Sequence, residues 1–229
     1  MGTLSRLLAA RLMPNDCFVC GQDAGPALLC GPCRADLPQV SEACPVCAIP
    51  VQDGLVCGSC QRTTPAFDAT VAALPYVFPA DRLVQALKYG NRLALAPFLA
   101  SLLEAFAPPD EDAIVVPMPL HSRRLRERGF NQAAEIARPL ARAWGLRFDA
   151  AAVERVRDTP PQASLPWLER RLNLRGAFRC RGEFAGRTVV VVDDVMTTGA
   201  TLDELARTLK SRGAARVVNR VVARTPLPA

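Results

Sequence analysis

The sequence has one histidine, His121, and only two lysines, Lys88 and Lys210, among its 229 residues. No apolar run approaches the roughly 20 residues that a membrane-spanning helix needs, because arginine, proline or an acid interrupts every candidate. A helical membrane span is therefore excluded. With one imidazole in the chain, no histidine-based general base stands out, and a lone histidine more often serves structure than catalysis. The scarcity of lysine makes the basic complement almost wholly arginine, whose planar fork fits phosphate bidentately where an ammonium cannot. Residues 4–12 are apolar with Arg6 and Arg11, but no small-residue cleavage signal follows them. They read as a short amphipathic helix, not a secretion signal, and the chain as cytoplasmic.

Half of the residues are hydrophobic, enough for one sizeable core and a smaller unit that needs other support. The formal charge of +6 is uneven: residues 1–66 hold four arginines against five acids, and the remainder 24 basic against 17 acidic residues. The cationic surplus of the second part suits a phosphate-rich ligand or nucleic acid.

Eight of the nine cysteines form four C-x-x-C pairs: Cys17 and Cys20, Cys30 and Cys33, Cys44 and Cys47, Cys57 and Cys60. Nine residues separate the first pair from the second and nine the third from the fourth. Two such turns complete the closed tetrahedral thiolate shell of a structural Zn2+. A reducing compartment disfavours disulfides, and a thioredoxin-type C-x-x-C would open a helix after a strand, whereas these pairs sit among glycine, proline and polar residues. The spacing predicts a double zinc ribbon over residues 1–66 with two structural zinc ions; a single ion, or ligands interleaved between the halves, stays open.

From residue 67 the pattern alternates. Residues 71–78, 114–116, 153–156, 188–193 and 216–222 read as strands, and 81–86, 97–106, 131–143 and 201–212 as helices, an α/β domain over 67–229. Val189 to Val192 is a continuous β-branched run, as in a parallel strand buried on both faces. It ends in Asp193-Asp194, and Thr197-Thr198-Gly199-Ala200-Thr201 then leads into a helix. Amides and hydroxyls at a helix start form an anion site, and Gly199 permits close approach. The two acids can accept hydrogen bonds from vicinal hydroxyls one sugar away, so the motif describes a phosphorylated ribose.

Val189 to Thr201 resembles the phosphoribosyl diphosphate-binding signature of the type I phosphoribosyltransferases at every position. A second set of segments resembles the competence protein F (ComF, also GntX) family: Val116-Pro117-Met118-Pro119-Leu120 with Arg124 and Arg128-Gly129-Phe130-Asn131-Gln132, Leu87-Lys88-Tyr89, residues 161–165 and residues 171–178. The resemblance implies a type I phosphoribosyltransferase-like parallel sheet flanked by helices behind a zinc-ribbon head. It also implies Mg2+ carried with phosphoribosyl diphosphate. Asp193, Asp194, Thr197, Thr198, Gly199, Ala200, Thr201 and Arg128 would bind the ligand and Arg124 would face the leaving diphosphate, while Lys88, one of only two lysines in an arginine-rich chain, is the candidate for a further charge on it. Purine-salvage members carry an aspartate where this chain has Thr197, which puts purine-base transfer in doubt.

The family's association with DNA uptake implies single-stranded DNA, with other DNA-uptake or recombination proteins, as partners. Arg123, Arg124, Arg126, Arg128, Arg170, Arg171 and Arg175 supply charge for it, and Phe130, Trp167 and Phe178 supply stacking faces. The competing expectation is a non-catalytic phosphoribosyl diphosphate sensor or nucleic-acid-binding module. Cys180, between Arg179 and Arg181, reads as a buried structural thiol.

Overall fold

The computed structural model describes residues 15–40, 42–158 and 174–226. The amphipathic stretch 4–12, the family segments at 161–165 and 171–173, and Trp167, Arg170 and Arg171 lie outside them. The two cysteine units repeat each other closely. In each, the first amide of a C-x-x-C turn closes on a residue just beyond the turn: Cys17 N to Gln22 O, 2.6 Å, and Cys44 N to Ile49 O, 2.8 Å. Gly21 and Ala48, each following a second cysteine, both take positive φ. The third cysteines, Cys30 and Cys57, precede short helices α1 (Gly31–Ala35) and α2 (Gly58–Arg62) that carry the fourth.

After this head the chain forms β1 (Ala69–Pro75), α3 (Ala80–Tyr89), α4 (Leu95–Glu104), β2 (Ile114–Pro117), α5 (Ser122–Arg128), α6 (Gln132–Trp144), β3 (Arg147–Phe148), β4 (Val153–Arg155), β5 (Phe178–Cys180), β6 (Thr188–Met196), α7 (Ala200–Lys210) and β7 (Arg216–Arg224). Five strands make one sheet in the order β1-β7-β6-β2-β3, every neighbouring pair parallel. Residues 153–156, expected as part of an α/β alternation, fall elsewhere: β4 pairs antiparallel with β5 in a separate hairpin. Helix α5 and strands β3 and β5 are additional to the expected elements.

Period-two alternation along β6 divides the core. Val189 and Val191 join one apolar cluster with Leu202, Leu205 and Leu209 of α7; Val190 and Val192 join another with Leu83, Leu99 and Ile136 from α3, α4 and α6. Among the described residues the first face has a single long helix, and the second ribbon covers part of it through Cys44, Cys47, Ile49 and Cys60. Cys17 and Leu29 of the first ribbon belong to the opposite cluster. The two ribbons thus lie on opposite faces of the sheet.

Chain direction reverses at the centre. From β2 the chain crosses through α6 to β3 on one side, and from β6 it crosses through α7 to β7 on the other. A switch point therefore lies between the carboxyl ends of β2 and β6, where open α/β sheets leave a ligand crevice.

Candidate functional site

One bank of that crevice is the end of β6. Gly199 caps α7 with φ 79°, a left-handed conformation that costs glycine nothing. A β-carbon there would lie 2.5 Å from Met196 Cε. Thr197 and Thr198 are exposed, Thr201 is half-buried and Ala200 buried. Thr198 Oγ1 accepts from Ala200 N at 3.4 Å, and the amides of Thr197, Thr198 and Gly199 have no acceptor among the described residues. Unpaired amides and hydroxyls at a helix start, where the dipole is positive, form an anion cradle. The loop lines a cavity of about 890 Å³ whose opposite wall includes Ile49, Val51 and Phe67.

The two aspartates behave differently. Asp194 is 3% exposed and its Oδ2 lies 2.8 Å from Lys88 Nζ at the end of α3. Burial would lower the Lys88 pKa, but the charge and hydrogen bond of Asp194 together with the charge of Asp193 outweigh it and raise the ammonium above its ordinary value. Asp193 is half-buried; burial first, then the Asp194 charge, push its carboxyl up to about 8. The sequence reading gives both carboxylates to the ribose hydroxyls and Lys88 to the diphosphate; in the structure Lys88 pairs with the buried Asp194, and Asp193 is the more exposed of the two acids.

The other bank is α5, after β2. Asn131 Nδ2 donates to Met118 O at 3.0 Å and its Oδ1 caps α6 by accepting from Ala133 N at 3.0 Å, which ties the loop to the helix behind it. Lys88, Tyr89, Arg124, Arg128 and Phe130 line a cavity of about 490 Å³. The Arg128 guanidinium lies over the Tyr89 ring, 5.5 Å from its centroid, and donates to Gln132 Oε1. His121 sits at the amino end of α5, accepting from Arg123 N at 3.4 Å through Nδ1.

Two residues at this site, Asp158 and Arg155, escaped the sequence reading, and Tyr89 entered it only within a family segment. Asp158 reaches Arg123 at 3.2 Å, Arg124 at 3.8 Å and His121 at 3.9 Å. Arg155 arrives on β4, bridged to His121. Burial, then the like charge of Arg124, lower its pKa against the attraction of Asp193 and Asp158. Tyr89 is 77% exposed. The hairpin delivers Arg155 and Asp158 from outside the main sheet, so no local spacing announces them. Burial raises the Cys180 thiol, while Arg179 and Arg181 pair with Glu154 instead. Phe178 is buried beneath Arg155 and offers no open face.

The cysteines fall into two sequential sets, Cys17-Cys20-Cys30-Cys33 and Cys44-Cys47-Cys57-Cys60, with sulfurs within 4.8 Å of one another. Tetrahedral Zn–S bonds of about 2.3 Å place sulfurs about 3.8 Å apart, and the Cys20–Cys30 and Cys47–Cys57 separations are both 3.6 Å. Burial opposes ionisation of Cys44, but the amides of Cys57, Cys47 and Val46 outweigh it and bring the thiol down to about 7. Thiolates in these positions fit closed structural zinc sites, and the ligands are not interleaved.

Residues 126–226 match the phosphoribosyl transferase domain family, and residues 8–61 the double zinc ribbon domain family. A DNA utilization protein, YhgH, of Salmonella typhi is 35% identical over 90% of this chain and 95% of its own. Competence protein F of Haemophilus influenzae is 30% identical over 80% of this chain and 79% of its own. Competence protein ComFC of Bacillus subtilis is 34% identical over 48% of this chain and 44% of its own. Joined to a parallel sheet with a threonine-rich loop at a strand end and two four-cysteine sets, these likenesses show that the chain belongs to the ComF family.

Proposed function

We propose that this chain binds phosphoribosyl diphosphate in the switch-point crevice and works on or beside single-stranded DNA in the cytoplasm during DNA uptake. The 5′-phosphate sits on residues 197–201, the ribose hydroxyls on Asp193, and the diphosphate faces Arg124 and Arg128. Mg2+ enters on the ligand's own oxygens, since it keeps most of its shell as water and phosphate. The observation that carries the reading is the cradle of unpaired amides at the start of α7 beside a carboxyl held for a hydroxyl partner. The competence and DNA utilization relatives support the DNA role, as do the exposed Arg126 and the Tyr89 face beside Arg128. Arginine with an open aromatic ring is the pairing that single strands stack upon.

Calorimetry with phosphoribosyl diphosphate and Mg2+ tests the site: binding is expected, and Asp193→Ala should weaken it at least tenfold. Equal affinity in the variant overturns the assignment. Release of diphosphate in the presence of a panel of bases and nucleic acids makes the chain a transferase. Binding without release makes it a sensor. For DNA, replacing Arg124 and Arg128 should flatten the log–log salt dependence by about 0.7 for each phosphate no longer neutralised.

A further inference from the structure

Arg224, the last residue of β7, is 5% exposed. A buried guanidinium is costly unless its fork of N–H groups finds acceptors, and here the acceptors are backbone carbonyls. Nε donates to Cys47 O at 2.9 Å. Nη1 is shared among Met196 O at 3.1 Å, Thr197 O and Thr225 O at 2.8 Å. One side chain thus joins the second four-cysteine set to the first residues of the phosphate loop.

Two more interactions lie alongside it. Asp203, in the first turn of α7 and 5% exposed, accepts from Ala66 N at 2.6 Å, just past the second set. Gly199 is packed so that an added β-carbon would meet Met196 Cε at 2.5 Å and Phe67 Cζ at 3.7 Å. The loop is therefore held from behind by the ribbon and the chain that leaves it. A Zn2+ held by four thiolates is net anionic, which suits a buried cation at the next carbonyl. The first set has no hydrogen bond to the loop among the described residues, and its buried side chains belong to the opposite face of the sheet.

We infer that Arg224 is a positioning residue that makes the shape of the phosphate loop depend on the folded, metal-bound second ribbon and leaves it independent of the first. The anion-binding consequence rests on the function proposed above; the mechanical coupling does not.

The test uses the full chain without ligand, measuring amide hydrogen exchange at Ala200 and Asp203, whose amides are bonded within the loop and the first turn of α7, together with bound zinc. Arg224→Ala should speed exchange there at least tenfold, with zinc content and exchange over residues 189–192 unchanged. Arg224→Lys, which keeps a charge and donors but loses the fork, should recover part of the protection. The double substitution C57S/C60S should reproduce the acceleration with loss of one zinc, whereas C17S/C20S should lose one zinc and leave the loop as it was. Unchanged loop exchange in Arg224→Ala overturns the inference, as does equal acceleration from either ribbon. Should a cysteine variant fail to fold, the two Arg224 variants still decide the matter.

Ribose 5-phosphate, added afterwards, should bind at least tenfold more weakly to Arg224→Ala than to the parent. If neither protein binds it while the exchange difference stands, the coupling is supported and the function proposed above is overturned.

Discussion

The two banks of the crevice are built on opposite physical terms. On the β6 bank the framework is packed before any ligand arrives, while the amides of Thr197, Thr198 and Gly199 stay free: Asp194 is buried against Lys88 at 2.8 Å and Gly199 lies close against Met196 and Phe67. On the β2 bank, helix α5 buries none of its residues. Its Arg123 and Arg124 side chains are 66% and 34% exposed and share one carboxylate, Asp158. Water screens the second bank, so its pairs are weak and exchangeable. Desolvation governs the first, where an interaction once broken leaves a stranded charge. Under the function proposed above, the difference divides the labour: the packed bank would hold the sugar phosphate, and the screened bank would adapt to whatever hangs from C1.

The largest expected effect breaks the β6 bank at its ion pair. Lys88→Ala leaves Asp194 buried without its cation, and removal of one partner from a buried pair costs about 3–5 kcal/mol. Because Lys88 keeps 19% side-chain exposure, the lower end applies. A loss of about 3 kcal/mol lowers the melting temperature by roughly 6–12 °C in a chain of this size. Thermal melts check it, and a loss below about 1 kcal/mol would erase the contrast between the banks. Gly199→Ala comes next, at about 1–2 kcal/mol in urea unfolding, chiefly for a side chain forced into φ 79°. The Met196 methyl can swing aside, so the packing part is small.

Asp193 sharpens the comparison through pH. Its carboxyl holds a proton up to about 8 in the folded chain, against about 3.9 unfolded. Between those values the folded state binds more protons, so this group's contribution to stability falls as pH rises through that window. Asn cannot ionise and escapes that loss. Asp193→Asn should therefore match the parent near pH 4 and gain on it steadily up to about pH 8, a widening gap that thermal melts across the pH range would read. A gap independent of pH would show that the shift is not native to this carboxyl.

What could be read ahead of the structure was what is local in the chain. Val189 to Val192, the paired acids and the threonine turn are contiguous, so their chemistry appears in spacing alone. The same holds for the four C-x-x-C turns. What escaped is long-range or featureless. Lys88 meets Asp194 from another helix, and Arg224 meets Cys47 from the far end of the chain; no periodicity encodes either. Helix α5 has no apolar stripe because it packs nothing, and β3 and β5 are only two and three residues long. Nor does cysteine spacing say which face of the sheet a ribbon will cover. That face is what links the second ribbon, and not the first, to the loop.

The smallest effect belongs to the β2 bank. Asp158 is 27% exposed and holds Arg123, Arg124 and His121 at 3.2 to 3.9 Å, distances at which surface pairs contribute about 0–1 kcal/mol each. Asp158→Asn should therefore leave the melting temperature within about 2 °C of the parent. Its consequence should appear in binding instead. The Asp158 carboxylate competes with any anion for Arg124, and neutralising it frees that guanidinium at no structural cost. Inorganic diphosphate should then bind about two- to fivefold more tightly by calorimetry, equivalent to about 0.4–1 kcal/mol, with the gain shrinking as salt is added. The same substitution should not change the affinity for ribose 5-phosphate, which under the proposed function would rest on the β6 bank without Arg124. A gain for both ligands would mean that the banks act as one site and that their separation is only apparent.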